Sequence, residues 1–181
     1  MTINYQLDEK DFLTYQLYIA SKSDRIRKKR LKSKIIIPII YAAITLFNIY
    51  KKDFIGALIF LALAFLWFIF YPIWEKRHYI NHYKGFITEN YKDRLNRIAN
   101  LEFTNEYILA KDSGSETKIS TNEIEEINEI ATIIFIKLKT GASLILSKNK
   151  IENIDILKTN LKELAHNLDI KYNNDENWVW K

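Results

Sequence analysis

Apolar positions along this chain follow two regimes, long unbroken runs before about residue 100 and short alternating bursts after it. Phe54 to Trp74, FIGALIFLALAFLWFIFYPIW, is an uncharged run of 21 residues. At the rise of an α-helix it covers about 31 Å, which matches a bilayer hydrocarbon core of about 30 Å. A second uncharged run of 16 residues, Ile35 to Tyr50, precedes it across the short turn Lys51-Lys52-Asp53, so the two read as an antiparallel pair of membrane spans. The shorter run covers only about 24 Å; it reaches about 30 Å from Leu31 if Lys32 and Lys34 snorkel to the headgroups. The other reading of this run is a re-entrant or interfacial helix, which would move everything after the hairpin to the opposite face. Pro38 is expected near the start of the span, where a missing amide donor costs least.

The flanks of the hairpin read as helical. Ile80, Tyr83, Ile87, Tyr91, Leu95 and Ile98 recur at steps of three or four and continue the second span as a stalk over 75–99. Ahead of the hairpin, Asp8 can cap a helix with Phe12, Tyr15 and Ile19 on one face, and Thr2 to Leu7 alternates as an edge strand would.

From Leu101 the period changes to that of strands. Leu101 to Phe103, Tyr107 to Lys111, Thr117 to Ser120, Ile124 to Ile130, Ile133 to Leu138 and Ser143 to Leu146 are β-branched or aromatic-rich, punctuated by Asp112-Ser113-Gly114-Ser115 and Thr140-Gly141. Ile154, Leu157, Leu161, Leu164, Ala165 and Leu168 then form a helical stripe with Asn153 as its expected cap. The pattern predicts an α+β membrane protein: an N-terminal strand and basic amphipathic helix (1–34), a two-helix transmembrane hairpin (35–74, with spans 35–50 and 54–74), a helical stalk (75–99), a small curved antiparallel sheet or half-barrel closed by a C-terminal helix (100–170), and a Trp-containing tail (171–181).

Charge gives the hairpin a direction. Residues 1–97 carry 17 Lys and Arg against 8 Asp and Glu, whereas residues 98–181 carry 10 against 14. The basic surplus gathers beside the spans, in Lys22, Arg25, Arg27, Lys28, Lys29, Arg30, Lys32 and Lys34 before the first and Lys76 and Arg77 after the second. Positive charge at span ends marks the cytoplasmic side, so both termini are expected there. Tyr50, Tyr71, Trp74 and Tyr79 stand where interfacial aromatic belts form. The cluster from Lys22 to Lys34 has two readings, a topology signal alone or a surface that also holds anionic lipid. Residues 1–34 lack a short apolar core with a cleavage site, which argues against a removable signal peptide. A composition heavy in Lys, Ile and Asn and poor in Gly and Pro points to a bacterial source and hence to its plasma or inner membrane.

No constellation suggests catalysis. The chain has no cysteine, which excludes disulfides, thiolate metal sites and thiol nucleophiles. His78 and His82 are spaced to share a helix face but lack a third ligand, so no metal and no cofactor is expected. Glu123, Glu125 and Glu129 read as one solvated strand face, with Ile124 packing inward. Asp112 to Glu116 is too short for a phosphate loop and has no lysine. Nucleic acid is excluded as a partner by the acidic C-terminal part. Trp178 and Trp180 can dip into the membrane interface or dock on the module's sheet.

The arrangement resembles the YcxB-like family of bacterial membrane proteins. The likeness rests on Asp8-Glu9-Lys10-Asp11-Phe12, the two spans with their minimal turn, and the series Phe103-Thr104-Asn105-Glu106-Tyr107-Ile108, Thr117-Lys118-Ile119-Ser120, Ile124-Glu125-Glu126-Ile127 and Ile136-Lys137-Leu138. The chain departs from that pattern at Thr121 and Asn122, where the family often has Trp, and in lacking Pro around Leu146-Ser147-Lys148. The resemblance implies a pleckstrin-homology-like (PH-like) module and no enzymatic activity. The expected function is membrane-anchored binding or scaffolding, with the bilayer and a protein as partners and room for a homo-oligomer. The alternative is an immunity protein that blocks a membrane-directed toxin.

Overall fold

The computed structural model describes residues 1–104, 106–112 and 114–180. Asn105, Ser113 and Lys181 lie outside the described residues, so the turn expected at Asp112-Ser113-Gly114-Ser115 is seen only at its flanks. The chain is α+β and divides into two compact units, Met1–Gln16 with Lys84–Val179, and Leu17–Tyr83 with the last residues from Trp180.

The first unit contains two four-stranded sheets. Strands β1 (Thr2–Gln6), β2 (Ile98–Phe103), β3 (Tyr107–Asp112) and β4 (Ser115–Ser120) form one antiparallel sheet in sequence order. The second has the order β7-β6-β5-β8, from β5 (Ile124–Ile130), β6 (Ile133–Leu138), β7 (Ser143–Ser147) and β8 (Lys171–Asp175). Its pairs are antiparallel except β5 with β8, which run parallel. Gly141, with φ of 87°, makes the tight return between β6 and β7 that a side chain would strain.

Ile3, Leu101 and Ile108 from the first sheet and Ile127, Ile136 and Leu146 from the second share one core with the helix α4 (Ile154–Asn167). Leu157, Leu161 and Ala165 recur every four residues and are all buried, so α4 closes the core along one stripe. Asn153 stands at the N-cap position as expected, but its side chain makes no capping hydrogen bond.

Thr2–Gln6 is the edge strand that its alternation predicts, and with Ile3 and Tyr5 in the core the first sheet draws on residues far ahead of Leu101. One sequence expectation changes here. Ile98, expected on the helical stalk, is a strand residue paired with Gln6. The stalk helix ends at Asn90 and a 3-10 turn over Lys92–Arg94 follows; Asn96 then takes a left-handed conformation (φ 57°) and its amide donates to the Leu7 carbonyl at 2.8 Å as the chain enters the sheet. Ladder pairing wins over the helical spacing. The chain from Leu7 to Arg97 is therefore an insertion between two neighbouring strands of one sheet.

The helix α1 (Glu9–Lys22) opens with a reciprocal capping box: the Asp11 amide donates to Asp8 Oδ1 at 2.9 Å and the Asp8 amide to Asp11 Oδ2 at 3.2 Å. Tyr15 sets its ring edge-on to the buried Phe135, with centroids 5.2 Å apart, which covers the face of β6 turned away from the core.

The second unit is built on α2 (Asp24–Tyr50) and α3 (Phe54–Asn90), both long and apolar enough to cross a membrane. Ser23 interrupts the helix before them and caps α2 by accepting from the Ile26 amide at 3.4 Å. The basic cluster thus belongs to the same helix as the first apolar run. Arg30 meets Glu75, Lys34 meets Trp67 and Tyr41 meets Phe60, an antiparallel register. Asp53 caps α3 by accepting from the Gly56 amide at 3.0 Å, and a Cβ on Gly56 would run into that carboxylate.

Pro38 does not lie near a helix start; it sits inside α2. Lacking an amide hydrogen, it leaves the Lys34 carbonyl without its usual helical donor. The Trp67 indole Nε1–H supplies that donor from α3, at 3.2 Å.

Candidate functional site

The predicted basic residues separate into those with partners and those without. Arg27 pairs with Asp24 at 2.7 Å on the exposed surface, where such a pair adds little. Arg30 reaches across to Glu75 at 3.0 Å, and Glu75 is buried and also accepts from the Tyr71 hydroxyl at 3.2 Å. The Arg30 guanidinium also lies 4.6 Å from the Trp180 ring centroid and 5.7 Å from that of Tyr79. Trp180 is buried against Arg30 and Tyr79 of the helical unit, not docked on the module's sheet. Arg25, Lys28, Lys29, Lys32 and Lys34 pair with no carboxylate among the described residues. Lys76 and Arg77 are exposed.

Of the aromatic residues expected at an interface, Tyr50 is 82% and Trp74 58% exposed, and Tyr79 is half-buried. Tyr71 differs. It is 5% exposed, packed against Trp67 at 4.9 Å and tied to Glu75, so its hydroxyl serves the helix pair instead of the lipid surface.

A cleft of about 810 Å³ opens between α2 and α3. Arg25, Lys29 and Ser33, spaced by four, line it from α2; Trp67, Trp74 and His78 line it from α3. His78 stacks on Trp74 with centroids 5.2 Å apart, and His82 packs edge-on to Tyr83. Among the described residues no group of three His, Cys, Asp or Glu side chains gathers to hold a metal.

The acidic run of the first unit is not one solvated face. Glu123 lies in a 3-10 turn, and a β-bulge between Ile124 and Glu126 shifts the register of β5. Glu125 pairs with Lys137 at 2.7 Å on the surface. Glu129 instead shares the core face with Ile127 and is 1% exposed. It accepts from Lys148 at 2.8 Å, Lys158 at 2.5 Å and the Tyr172 hydroxyl at 2.7 Å. Burial pushes its carboxyl up, but these three donors outweigh burial and hold it down to about 2. Burial and the bond to Glu129 both raise Tyr172.

A second buried carboxylate, Asp11, accepts from Ser147 at 2.9 Å and Lys150 at 2.8 Å, and Lys150 also reaches Asp8 at 2.7 Å. Lys150 is raised: burial opposes its charge, and the two aspartates overcome it. In both clusters the buried carboxylate is paired with lysine, which fastens elements together. Glu129 joins β5, α4 and β8; Asp11 joins α1 to β7.

Sequence reasoning missed Glu75, Trp67 and Glu129. Glu129 carried a signal, since it shares strand parity with the apolar Ile127. Glu75 carried a weaker one, as the first charge after the second apolar run and thus level with the basic cluster across an antiparallel turn. No protein-family model, curated protein or solved structure matches this chain.

Proposed function

We propose that this chain is a membrane-anchored binding or scaffolding protein of a bacterial plasma membrane. On this reading α2 and α3 cross the bilayer as a hairpin, with residues 1–34 and 75–181 on the cytoplasmic side. The observation that carries it is exposure: Leu46, Phe47, Phe54, Ile55, Leu58 and Phe65 are each 59% exposed or more, on helices whose apolar windows are 0% and 17% buried. The core helix of a soluble domain hides such side chains.

The first unit is read as a PH-like module of the YcxB-like kind. In support, four antiparallel strands are followed by three more and a closing helix, with the membrane hairpin inserted between the first two strands. Among the described residues its buried charged groups, Asp11 and Glu129, are engaged in ion pairs, which favours binding over catalysis. Its partners are the bilayer and a protein that the module presents to or receives from the cytoplasm.

Single cysteines test the topology, and the chain has none of its own. In intact cells, cysteines replacing Ser23 or Ser115 should be protected from a membrane-impermeant thiol reagent, while one replacing Asp53 reacts. Labelling at Ser115 without lysis would overturn the two-span arrangement.

A further inference from the structure

The cleft between α2 and α3 changes character along its length. Arg25 and Lys29 stand at one end opposite His78, and Ile36, Ile37 and Trp67 stand at the other. From Arg25 to Ile37 is twelve residues, about 18 Å along the helix. The lining carboxylate, Glu75, is already occupied by Arg30 and Tyr71. Arg25 and Lys29 are exposed, pair with no carboxylate among the described residues, and project along the same stripe as Ser33. The polar end therefore offers two unneutralised cations, and the other end offers apolar wall.

We propose that this cleft seats one anionic phospholipid, its phosphate held by Arg25 and Lys29 and its acyl chains lying along Ile36, Ile37 and Trp67. The proposal rests on the membrane reading given above and goes beyond it, because it assigns a discrete site where the sequence shows only a diffuse basic cluster. Charge selects the headgroup. A zwitterionic lipid brings its own cation, which meets Arg25 and Lys29 and finds no unengaged carboxylate among the lining residues. Length selects a lipid over a free phosphate, since an inorganic ion would leave the apolar end unfilled. Lys28 and Lys32 belong to the same cluster and are equally exposed, but they do not line the cleft.

That difference provides the experiment. The full chain, extracted in detergent, is offered phosphatidylglycerol or phosphatidylcholine with the same acyl chains, and bound lipid is counted by native mass spectrometry. Phosphatidylglycerol should be retained at least about fivefold more than phosphatidylcholine, and Arg25→Gln with Lys29→Gln should reduce that retention at least about fivefold. Lys28→Gln with Lys32→Gln removes the same charge and should change it less than about twofold. Glycerol phosphate at equal concentration should not displace the lipid. Equal loss in the two double variants, equal retention of the two lipids, or displacement by glycerol phosphate would each overturn the site. A protein absent from the membrane fraction would overturn the membrane reading itself; an inserted protein whose Arg25→Gln, Lys29→Gln variant retains lipid normally overturns the cleft alone.

Discussion

The two units treat the same residue types in opposite ways. In the β unit, Glu129 and Asp11 are buried and each is matched by lysines, while the large aliphatic side chains are almost all inside. In the helical unit, Leu, Ile and Phe line the outside and five cations of the basic cluster pair with no carboxylate among the described residues. The first unit satisfies its own burial and charge requirements. The second leaves both to its surroundings, which an apolar slab with an anionic surface would complete. Glu75 with Arg30 is the place where the helical unit behaves like the β unit, and it lies at the polar end of the hairpin.

The strongest test of this contrast is Leu161→Asp. Leu161 is 1% exposed between Leu157 and Ala165, so the variant places a carboxylate in the core with no cation provided for it. The cost is several kcal/mol, about the whole stability of a small domain. Hydrogen exchange on the full chain in micelles should show β1 to β8 losing protection while α2 and α3 up to Tyr83 keep theirs. Loss of protection in the two helices as well would mean that the units unfold as one and would break the contrast.

Glu129→Gln should cost less and reveal its origin through pH. The variant keeps the volume but leaves Lys148 and Lys158 sharing one described carboxylate, Glu176, at 3.3 and 3.5 Å, with the Ile130 carbonyl accepting from Lys148 at 3.1 Å. At pH 7 the loss should be about 3 kcal/mol, as expected for a broken buried pair and for a carboxyl held near 2 instead of its ordinary 4.5. Because the folded-state value is depressed, the wild-type advantage is complete above about pH 4.5 and is lost as pH falls towards about 2. Denaturant titrations of both proteins across that range should converge in acid. A gap independent of pH would make Glu129 a packing residue.

How much of this was legible beforehand depended on whether the sequence pattern was local. Strands such as Ile124–Ile130 and Ile133–Leu138 match their predicted ranges because alternation and turn residues are contained within them. β8 was read as part of a polar tail, since Lys171-Tyr172-Asn173-Asn174-Asp175 has poor strand propensity. It is held by non-local bonds, Tyr172 to Glu129 and Asn173 to Glu126 and Asn128. The pairing of β1 with β2 was hidden because 91 residues, Leu7 to Arg97, separate partners that sit side by side. For the candidate site, the charges were visible and their pairing was not. Arg25 and Arg30 look alike in a basic run and both line the cleft, but Arg30 meets Glu75 and Arg25 pairs with no carboxylate among the described residues.

The smallest expected effect concerns the bond that closes the gap made by Pro38. Trp67→Phe keeps a ring against Tyr71 but removes the indole N–H from the Lys34 carbonyl, which should cost about 1–2 kcal/mol. Part of any such loss would come from changed packing, so the comparison needs Pro38→Ala as a second change. Alanine at 38 restores the amide that α2 itself would direct at Lys34, making the indole redundant there. Trp67→Phe should then cost about 1 kcal/mol less in the Pro38→Ala background than in the native chain, measured by thermal unfolding in micelles as a double-mutant cycle. Equal costs in both backgrounds would mean that Trp67 acts through its ring alone. The helical unit would then owe its pairing to packing and to its lipid surroundings, with Arg30–Glu75 and Ser33–Tyr71 among its polar ties across the hairpin.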